Sequence, residues 1–410
     1  MQKKYTILSL PSRRFPTEQP FLLEIMSKRL GQRGHRVISI IQSDTPLDKT
    51  YQMHWNDSQL FITPARSRRS SLNRMLNLIK KVQSLHKVYK DIFRNEKPDI
   101  IQVRNDWAAA LWVLIIAKKQ RIPFVFQYSF PGSKPYFERA KSLTGIKSFI
   151  SKLTGSITKR LLVYIMIRAD HVLPISQWMQ GELIEWGIPE ENMTPFPMGF
   201  NETILQQNVD INRIREEYKI LDNPTVIYFG SMDKLRDLDF LIQAMSLVIN
   251  KIPNARLLMV GGKPAEIKNL KLKAQELSVL DNTIFTGHVP YHEVPMYILS
   301  ADIGVSPIPP IPMYIVSSPT KLAETLGLGR PIVCNDIPEQ KKIILESGGG
   351  ICVPYQEEDF AKAIIKLFES PALREEMGRM GQKYILQERS YSIMTDKLEA
   401  VYRKLISPEK

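Results

Sequence analysis

Apolar residues in this chain fall into short buried-type runs separated by amphipathic stretches. Tyr5 to Leu10 and Val37 to Gln42 read as strands, with a helix between them over Phe21 to Arg33. Asp99 to Val103, Phe124 to Tyr128 and His171 to Ile175 are further short apolar strands. The pattern then starts again, with Thr225 to Phe229, Arg256 to Val260, Thr283 to Phe285, Ile303 to Val305, Pro331 to Cys334 and Gly350 to Val353. Helical periodicity fills the gaps, as in Asp237 to Ile249 and Asp359 to Phe368. Strands alternating with helices predict parallel α/β sheets. Two such series predict an α/β chain of two Rossmann-like domains, 1–205 and 206–385, with a last helix over 386–410 crossing back to the first domain. The polar, charged segment Asn201 to Asn223 serves as the connection. Ligands of open parallel sheets bind outside the carboxyl ends of the strands, so sites of both domains are expected to face a cleft.

A length of 410 residues agrees with two cores rather than one. The two cysteines, Cys334 and Cys352, lie in apolar runs and read as buried, reduced thiols. Near the start, Tyr5 to Leu10 is too short for a signal-peptide core, and the longest apolar run, Ala108 to Ala117, is too short to span a bilayer. These features predict a cytoplasmic protein, soluble or peripheral on the inner membrane face. Charge changes the picture more. The net charge is +14, yet the first 205 residues carry 31 Lys and Arg against 16 Asp and Glu, and the remainder 25 against 26. Two stretches supply the surplus. Arg66 to Arg94 sets Leu72, Met75, Leu76, Ile79, Val82, Leu85, Val88, Ile92 and Phe93 at helical spacing among Arg68, Arg69, Arg74, Lys80, Lys81, Lys87 and Lys90. Lys141 to Arg168 carries Lys147, Lys152, Lys159 and Arg160. Each apolar stripe reads first as core packing, and the basic surplus as a surface for an anionic membrane. Nucleic acid is not expected, because the basic runs lack interleaved aromatics for stacking.

Candidate chemistry concentrates in Ser317-Ser318-Pro319-Thr320-Lys321-Leu322-Ala323-Glu324, followed by a turn and the strand ending at Cys334. Pro319 suits the first turn of a helix and Ser318 its N-cap. Free N–H groups at such a start attract anions. Lys321 opposes the helix dipole there and needs another reason for its place. Glu324 falls one turn later on the same side. A phosphate cradle beside a carboxylate suits a sugar nucleotide, with diphosphate on Lys321 and ribose on Glu324. An ordinary cap with solvated charges fits the segment equally well when it is taken alone.

Several segments resemble the retaining GT-B glycosyltransferases of glycosyltransferase family 4, often called group 1. Leu30-Gly31-Gln32-Arg33-Gly34-His35-Arg36-Val37 resembles the family's "L-x-x-x-G-H-x-V". Pro98-Asp99-Ile100-Ile101, Ala169-Asp170-His171-Val172 and Pro197-Met198-Gly199-Phe200-Asn201 resemble further family segments in the family's order. In the second half, Gly230-Ser231-Met232-Asp233-Lys234-Leu235-Arg236-Asp237-Leu238-Asp239 resembles "G-R-L-x-x-x-K-G-x-D", whose Arg and Lys hold the donor diphosphate. Ser231 and Arg236 stand at those two positions. Leu258-Met259-Val260-Gly261-Gly262 resembles a family strand and turn, and Phe285-Thr286-Gly287-His288-Val289 resembles a turn that contacts the base. Glu324 matches the second glutamate of "E-x7-E", the one that binds ribose.

The resemblance implies a metal-independent, retaining transfer of a sugar from a nucleotide-diphosphate sugar, with no cofactor, to a glycan or lipid-linked acceptor. It implies a donor site of Gly230, Ser231, Arg236, His288, Val289, Ser317, Ser318, Thr320, Lys321 and Glu324. Departures stand beside it. Val316 occupies the place of the first glutamate, whose contact with the donor sugar would have to pass to Ser317 or Ser318. Phe15-Pro16-Thr17-Glu18 replaces a Gly-Gly turn, and Ser129 replaces a histidine. Asp106 is therefore the best acid/base or acceptor-orienting candidate. It also fits an N-cap of the helix from Trp107 to Lys118, and the two roles can coexist. Arg13, Arg14, Arg104 and Ser129 complete the expected acceptor side. An NAD-dependent oxidoreductase is disfavoured by the lack of G-x-G-x-x-G after any strand. An epimerase or phosphorylase on the same fold, and a catalytically weak membrane-bound scaffold, remain as rivals.

Overall fold

A computed structural model describes residues 3–65, 71–95, 97–207 and 210–407. The chain forms two compact units. One runs to Pro197 and takes up the chain again from Met394; the other is Met198–Ile393. The changes of unit thus fall a few residues before 205 and after 385.

The first unit is built on a sheet of β1 (Thr6–Pro11), β2 (Arg14–Phe15), β3 (Arg36–Ser43), β4 (Tyr51–Trp55), β5 (Ser58–Thr63), β6 (Ile100–Arg104), β7 (Phe124–Tyr128) and β8 (His171–Pro174). Their order is β4-β5-β3-β1-β6-β7-β8, with β2 beside β3. The inner strands are apolar on both faces, as parallel strands covered by helices must be, and Ile7, Leu8, Val37, Ile101 and Val125 are buried. The all-parallel expectation fails at one edge, where β4 pairs antiparallel with β5 through a hairpin at Asn56-Asp57. Asn56 has a φ of 52° and donates through Nδ2 to Ser27 Oγ at 2.6 Å, which holds the turn against the first helix. That helix covers the expected span but opens with a π-helical stretch, Phe21–Arg29.

Of the basic stretch from Arg66, residues Arg66 to Ser70, which include Arg68 and Arg69, and the side chains of Leu72, Arg74, Met75 and Lys81 lie outside the described residues. Ser71–Asn95 is helical, and it buries Leu85, Val88, Tyr89 and Ile92 while Lys87 and Lys90 are exposed. The second basic stretch is broken after Lys141 into the helices Lys134–Lys141 and Gly145–Arg168. From Met394 the last helix (Tyr391–Ile406) packs in this unit. Glu399 accepts from Arg33 Nη1 at 2.8 Å and pairs with His35 Nε2 at 2.8 Å, and Tyr402 donates to Gln102. Among the described residues no helix is long and apolar enough to cross a membrane.

The second unit is a fully parallel sheet of β9 (Thr225–Gly230), β10 (Arg256–Gly261), β11 (Thr283–Gly287), β12 (Ile303–Ser306), β13 (Ile332–Asn335) and β14 (Gly350–Val353). Its order is β11-β10-β9-β12-β13-β14. The chain works outward from β9 to one edge, then returns to β12 and works to the other. This doubly wound order leaves a crevice at the carboxyl ends of β9 and β12, where the strand order reverses. Helices run Asp239–Lys251 and Glu357–Glu369, each within two residues of the span the periodicity predicts. Cys334 and Cys352 face each other across β13 and β14 as free thiols, Cys334 buried and Cys352 only half-buried.

Candidate functional site

The donor-side residues gather where β9 ends. Gly230 has a φ of 120°, open to glycine and strained for other residues. A Cβ on it would lie 3.3 Å from Lys321 Cε and Nζ, so the backbone turns within reach of that ammonium. Gly261, at the end of the neighbouring strand with φ 112°, approaches so closely that a Cβ would stand 2.4 Å from the Gly230 carbonyl oxygen. The two glycines let the strand ends close up beneath the site.

Lys321 lies in the first turn of the helix Thr320–Gly327, and its Nζ sits 4.7 Å from the centroid of the Tyr228 ring. Burial lowers its pKa to about 7, helped by repulsion from Arg236 and opposed by Glu324 and Asp233. Glu324, one turn on, is buried, and burial raises its carboxyl to about 7. The Tyr291 hydroxyl donates to Glu324 Oε1 at 2.7 Å, and this bond and Lys321 both favour the ionised form. Arg236 lies over the Tyr314 ring, 4.7 Å from its centroid, and its Nε donates to Ser231 Oγ at 3.3 Å. Ser231 Oγ in turn donates to Asp233 Oδ2 at 2.9 Å, and the Tyr228 hydroxyl donates to the Ser231 carbonyl at 2.7 Å. Two cations are therefore held by aromatic faces at one crevice, beside a carboxyl group poised near neutrality. Such a surface stabilises a diphosphate, and Glu324 can accept from vicinal hydroxyls.

The other expected donor residues make contacts of their own. Ser318 is not the N-cap. Pro319 takes the cap position with φ −72° and ψ 121°, and Ser318 Oγ accepts from the Met198 N–H at 3.1 Å. Beneath Ser318 lies a buried ion pair, Arg389 Nη1 to Glu339 Oε1 at 2.7 Å. Ser317 Oγ donates to the Tyr314 carbonyl at 2.6 Å. Both hydroxyls thus bond within the protein, and Val316 beside them is buried at 5% exposure. Thr320 is half-buried at the start of the helix. After β11, Val289 packs on the core while His288 is exposed.

In the first unit, Asp106 caps the helix Trp107–Gln120, its Oδ1 accepting from the Ala109 N–H at 3.1 Å. Preceding it, Asn105 takes φ 55° and clasps Ser129: Asn105 Nδ2 donates to Ser129 Oγ at 2.7 Å, and the Ser129 N–H donates to Asn105 Oδ1 at 2.8 Å. Arg104 is buried, 5.3 Å from the centroid of the Phe21 ring. Arg13 and Arg14 line a cavity of about 750 Å³ with Ser12, Thr17, Glu18 and Asp44, and Arg14 donates to the Ser43 carbonyl at 3.1 Å. Arg13, Arg104, Asn105, Asp106 and Ser129 lie at the carboxyl ends of β1, β6 and β7.

Sequence reasoning missed the groups that hold the cations and the carboxyl in place, Tyr228, Tyr291, Tyr314 and Asp233, and the Arg389–Glu339 pair beneath Ser318. Tyr291 lies two residues after the turn Phe285-Thr286-Gly287-His288-Val289. Tyr314 and Glu339 reach the site region only by folding.

Two family profiles match this chain: glycosyl transferases group 1 over residues 210–384 and glycosyltransferase family 4 over residues 23–203. An alpha-D-kanosaminyltransferase from Streptomyces kanamyceticus is 25% identical over 73% of this chain and 75% of its own length. The capsular polysaccharide biosynthesis glycosyltransferase CapM of Staphylococcus aureus is 23% identical over 82% and 84%. Among solved structures, sucrose-phosphate synthase from Thermosynechococcus elongatus aligns with a TM-score of 0.74 at 18% identity, over 98% of this chain and 100% of that one. Anabaena HepE in complex with UDP aligns with a TM-score of 0.69 at 17% identity, over 97% and 99%.

Proposed function

Because the chain belongs to the group 1 glycosyltransferases of glycosyltransferase family 4 and has their GT-B fold, we propose that it moves a sugar from a nucleotide-diphosphate sugar to a glycan or lipid-linked acceptor. Transfer proceeds with retention of configuration and without a metal. The observation that carries this reading is the cluster at the end of β9, with Lys321 on Tyr228, Arg236 on Tyr314 and Glu324 held by Tyr291.

The chemistry follows from charge. As the bond from the anomeric carbon to the diphosphate breaks, negative charge collects on the leaving phosphate. Lys321 and Arg236 stabilise it most where burial keeps the local dielectric low. Glu324 receives the ribose hydroxyls as a carboxylate. Gly230 and Ser231 bring backbone and a hydroxyl to the phosphates, and Val289 and His288 flank the base. On the acceptor side, Asp106 orients the attacking hydroxyl while it caps its helix, and Arg13, Arg14, Arg104 and Ser129 shape the approach. The basic surplus of the first half supports a position at the cytoplasmic face of an anionic membrane, where lipid-linked acceptors are met.

Calorimetric titration with a panel of nucleoside diphosphates tests the donor site. Binding of one of them, lost in Glu324→Ala and Lys321→Ala, is the expected result. A folded protein that binds none of them removes the proposal. NMR of the product made from the matching nucleotide sugar then reads the anomeric configuration. A second reading rests on Val316, which puts a buried apolar side chain where the family carries a glutamate. On it the protein binds nucleotide but transfers no sugar, and a turnover assay with saturating donor separates the two.

A further inference from the structure

The helix Gly145–Arg168 has two apolar faces. One packs inward through Ser151, Gly155, Leu162, Ile165 and Met166. The other carries Ile146, Ile150, Leu153, Ile157, Tyr164 and Ile167, at steps of three, four or seven residues that keep them in one stripe. This second stripe is uncovered: its members are 47–74% exposed, and Phe149 beside it is 65% exposed. Of the 22 large apolar side chains exposed among the described residues, seven belong to this one helix. Scattered exposed apolar residues need no cause, but a continuous stripe does.

The charges name the occupant. Gly145–Arg168 contains Lys147, Lys152, Lys159, Arg160 and Arg168 and no acidic residue. At its far end the stripe opens into an apolar groove of about 1140 Å³ against the helix Trp107–Gln120, whose rim adds Lys118, Lys119 and Arg121 against the single Asp170. A second copy seated on this face would set these cations against the same cations. An anionic bilayer instead meets apolar side chains with its acyl boundary and the flanking cations with its headgroups. We infer that the outward stripe of Gly145–Arg168 is the surface by which this protein docks on anionic lipid. This deepens the membrane placement proposed above, and it does not depend on sugar transfer.

The geometry gives the docking a purpose. A helix of 24 residues is about 36 Å long, whereas the four-residue strand β8 that follows it spans about 13 Å. The helix ends beside the start of β8 and so runs past the carboxyl ends of the strands at its Ile146 end. That is the side of this unit that carries Asp106 and Arg13. The Ile146 end of the stripe thus docks on the side of the unit that carries the acceptor-side residues, while its groove end lies at the amino ends of β7 and β8.

Flotation with vesicles tests the assignment, using phosphatidylcholine alone and phosphatidylcholine mixed with phosphatidylglycerol. Wild type should float with the mixed vesicles only, and less so as salt rises. Lys147→Ala/Lys152→Ala should weaken partition about thirtyfold, and Ile150→Ser/Ile157→Ser at least about tenfold. Both variants should keep the circular dichroism and nucleoside diphosphate affinity of wild type, which separates loss of docking from loss of the donor site. No flotation of wild type, or variants that float like it, overturns the proposal. A wild-type dimer that the isoleucine variant dissociates assigns the stripe to a second copy and overturns it too.

Discussion

Lys321 provides the sharpest test of the donor site, because its proton is poised. With a pKa near 7 against an ordinary value of 10.5, it is half-charged at neutral pH. A diphosphate beside Nζ would restore the ordinary value, so binding must take up a proton. The uptake expected from Lys321 alone is about 0.5 proton at about pH 7, where release from Glu324 offsets it, and about 0.9 at about pH 8. The sign follows: the apo site loses its cation as pH rises through about 7, and affinity falls with it. Lys321 alone would weaken binding about fivefold from about pH 7 to pH 8, or about threefold once the ionisation of Glu324 is counted, and about tenfold more by about pH 9. Glu324, raised to about 7, works the other way, since hydroxyls favour its ionised form and binding releases its proton. At about pH 8 that carboxyl is already mostly ionised, so the measurement belongs there. Isothermal titration of the nucleoside diphosphate in two buffers of different ionisation enthalpy reads the proton count directly. Lys321→Met should abolish the uptake, and Glu324→Gln should preserve it. An uptake under about 0.2 proton at that pH, or an equal uptake in Lys321→Met, would refute the placement of the diphosphate on Lys321.

Three further outcomes follow from the same geometry. Glu324→Gln should weaken nucleoside diphosphate binding by about 1–3 kcal/mol while leaving pyrophosphate affinity unchanged, and equal loss for both ligands would remove the ribose assignment. Gly230→Ala forces a side chain into a glycine-only backbone region and toward Lys321, so thermal unfolding should show a cost of about 1–3 kcal/mol together with weaker nucleotide binding; unchanged values would show the site to be roomier. Asp106→Ala should cost about 1 kcal/mol of stability through the lost cap. Asp106→Asn keeps a cap and removes the charge, so it should unfold as wild type does while kcat falls at least about a hundredfold; full activity would leave Asp106 as a cap alone.

The sequence carried the architecture because burial on both faces makes a parallel strand one apolar run, and each predicted run from Thr225 to Val353 became a strand. The hairpin β4–β5 was missed although its alternating pattern around Asn56-Asp57 was present, since its edge strand is half exposed and reads weakly. Lys321 and Glu324 were legible as a pair because one helical turn fixes their spacing. Ser318 was not, since a serine before a helix looks the same whether its oxygen caps that helix or accepts from Met198, more than a hundred residues away in sequence.

The residue pattern by itself thus determined two α/β units, the doubly wound sheet order's raw material and the charged pair on the donor helix, all of which rest on local periodicity. Tertiary structure alone decided which aromatic rings hold the cations, how far burial draws Lys321 and Glu324 toward neutrality, and which face of Gly145–Arg168 is left uncovered. A helix apolar on two sides shows no preferred face in its sequence, and the desolvation that shifts a pKa is set by neighbours that only folding assembles.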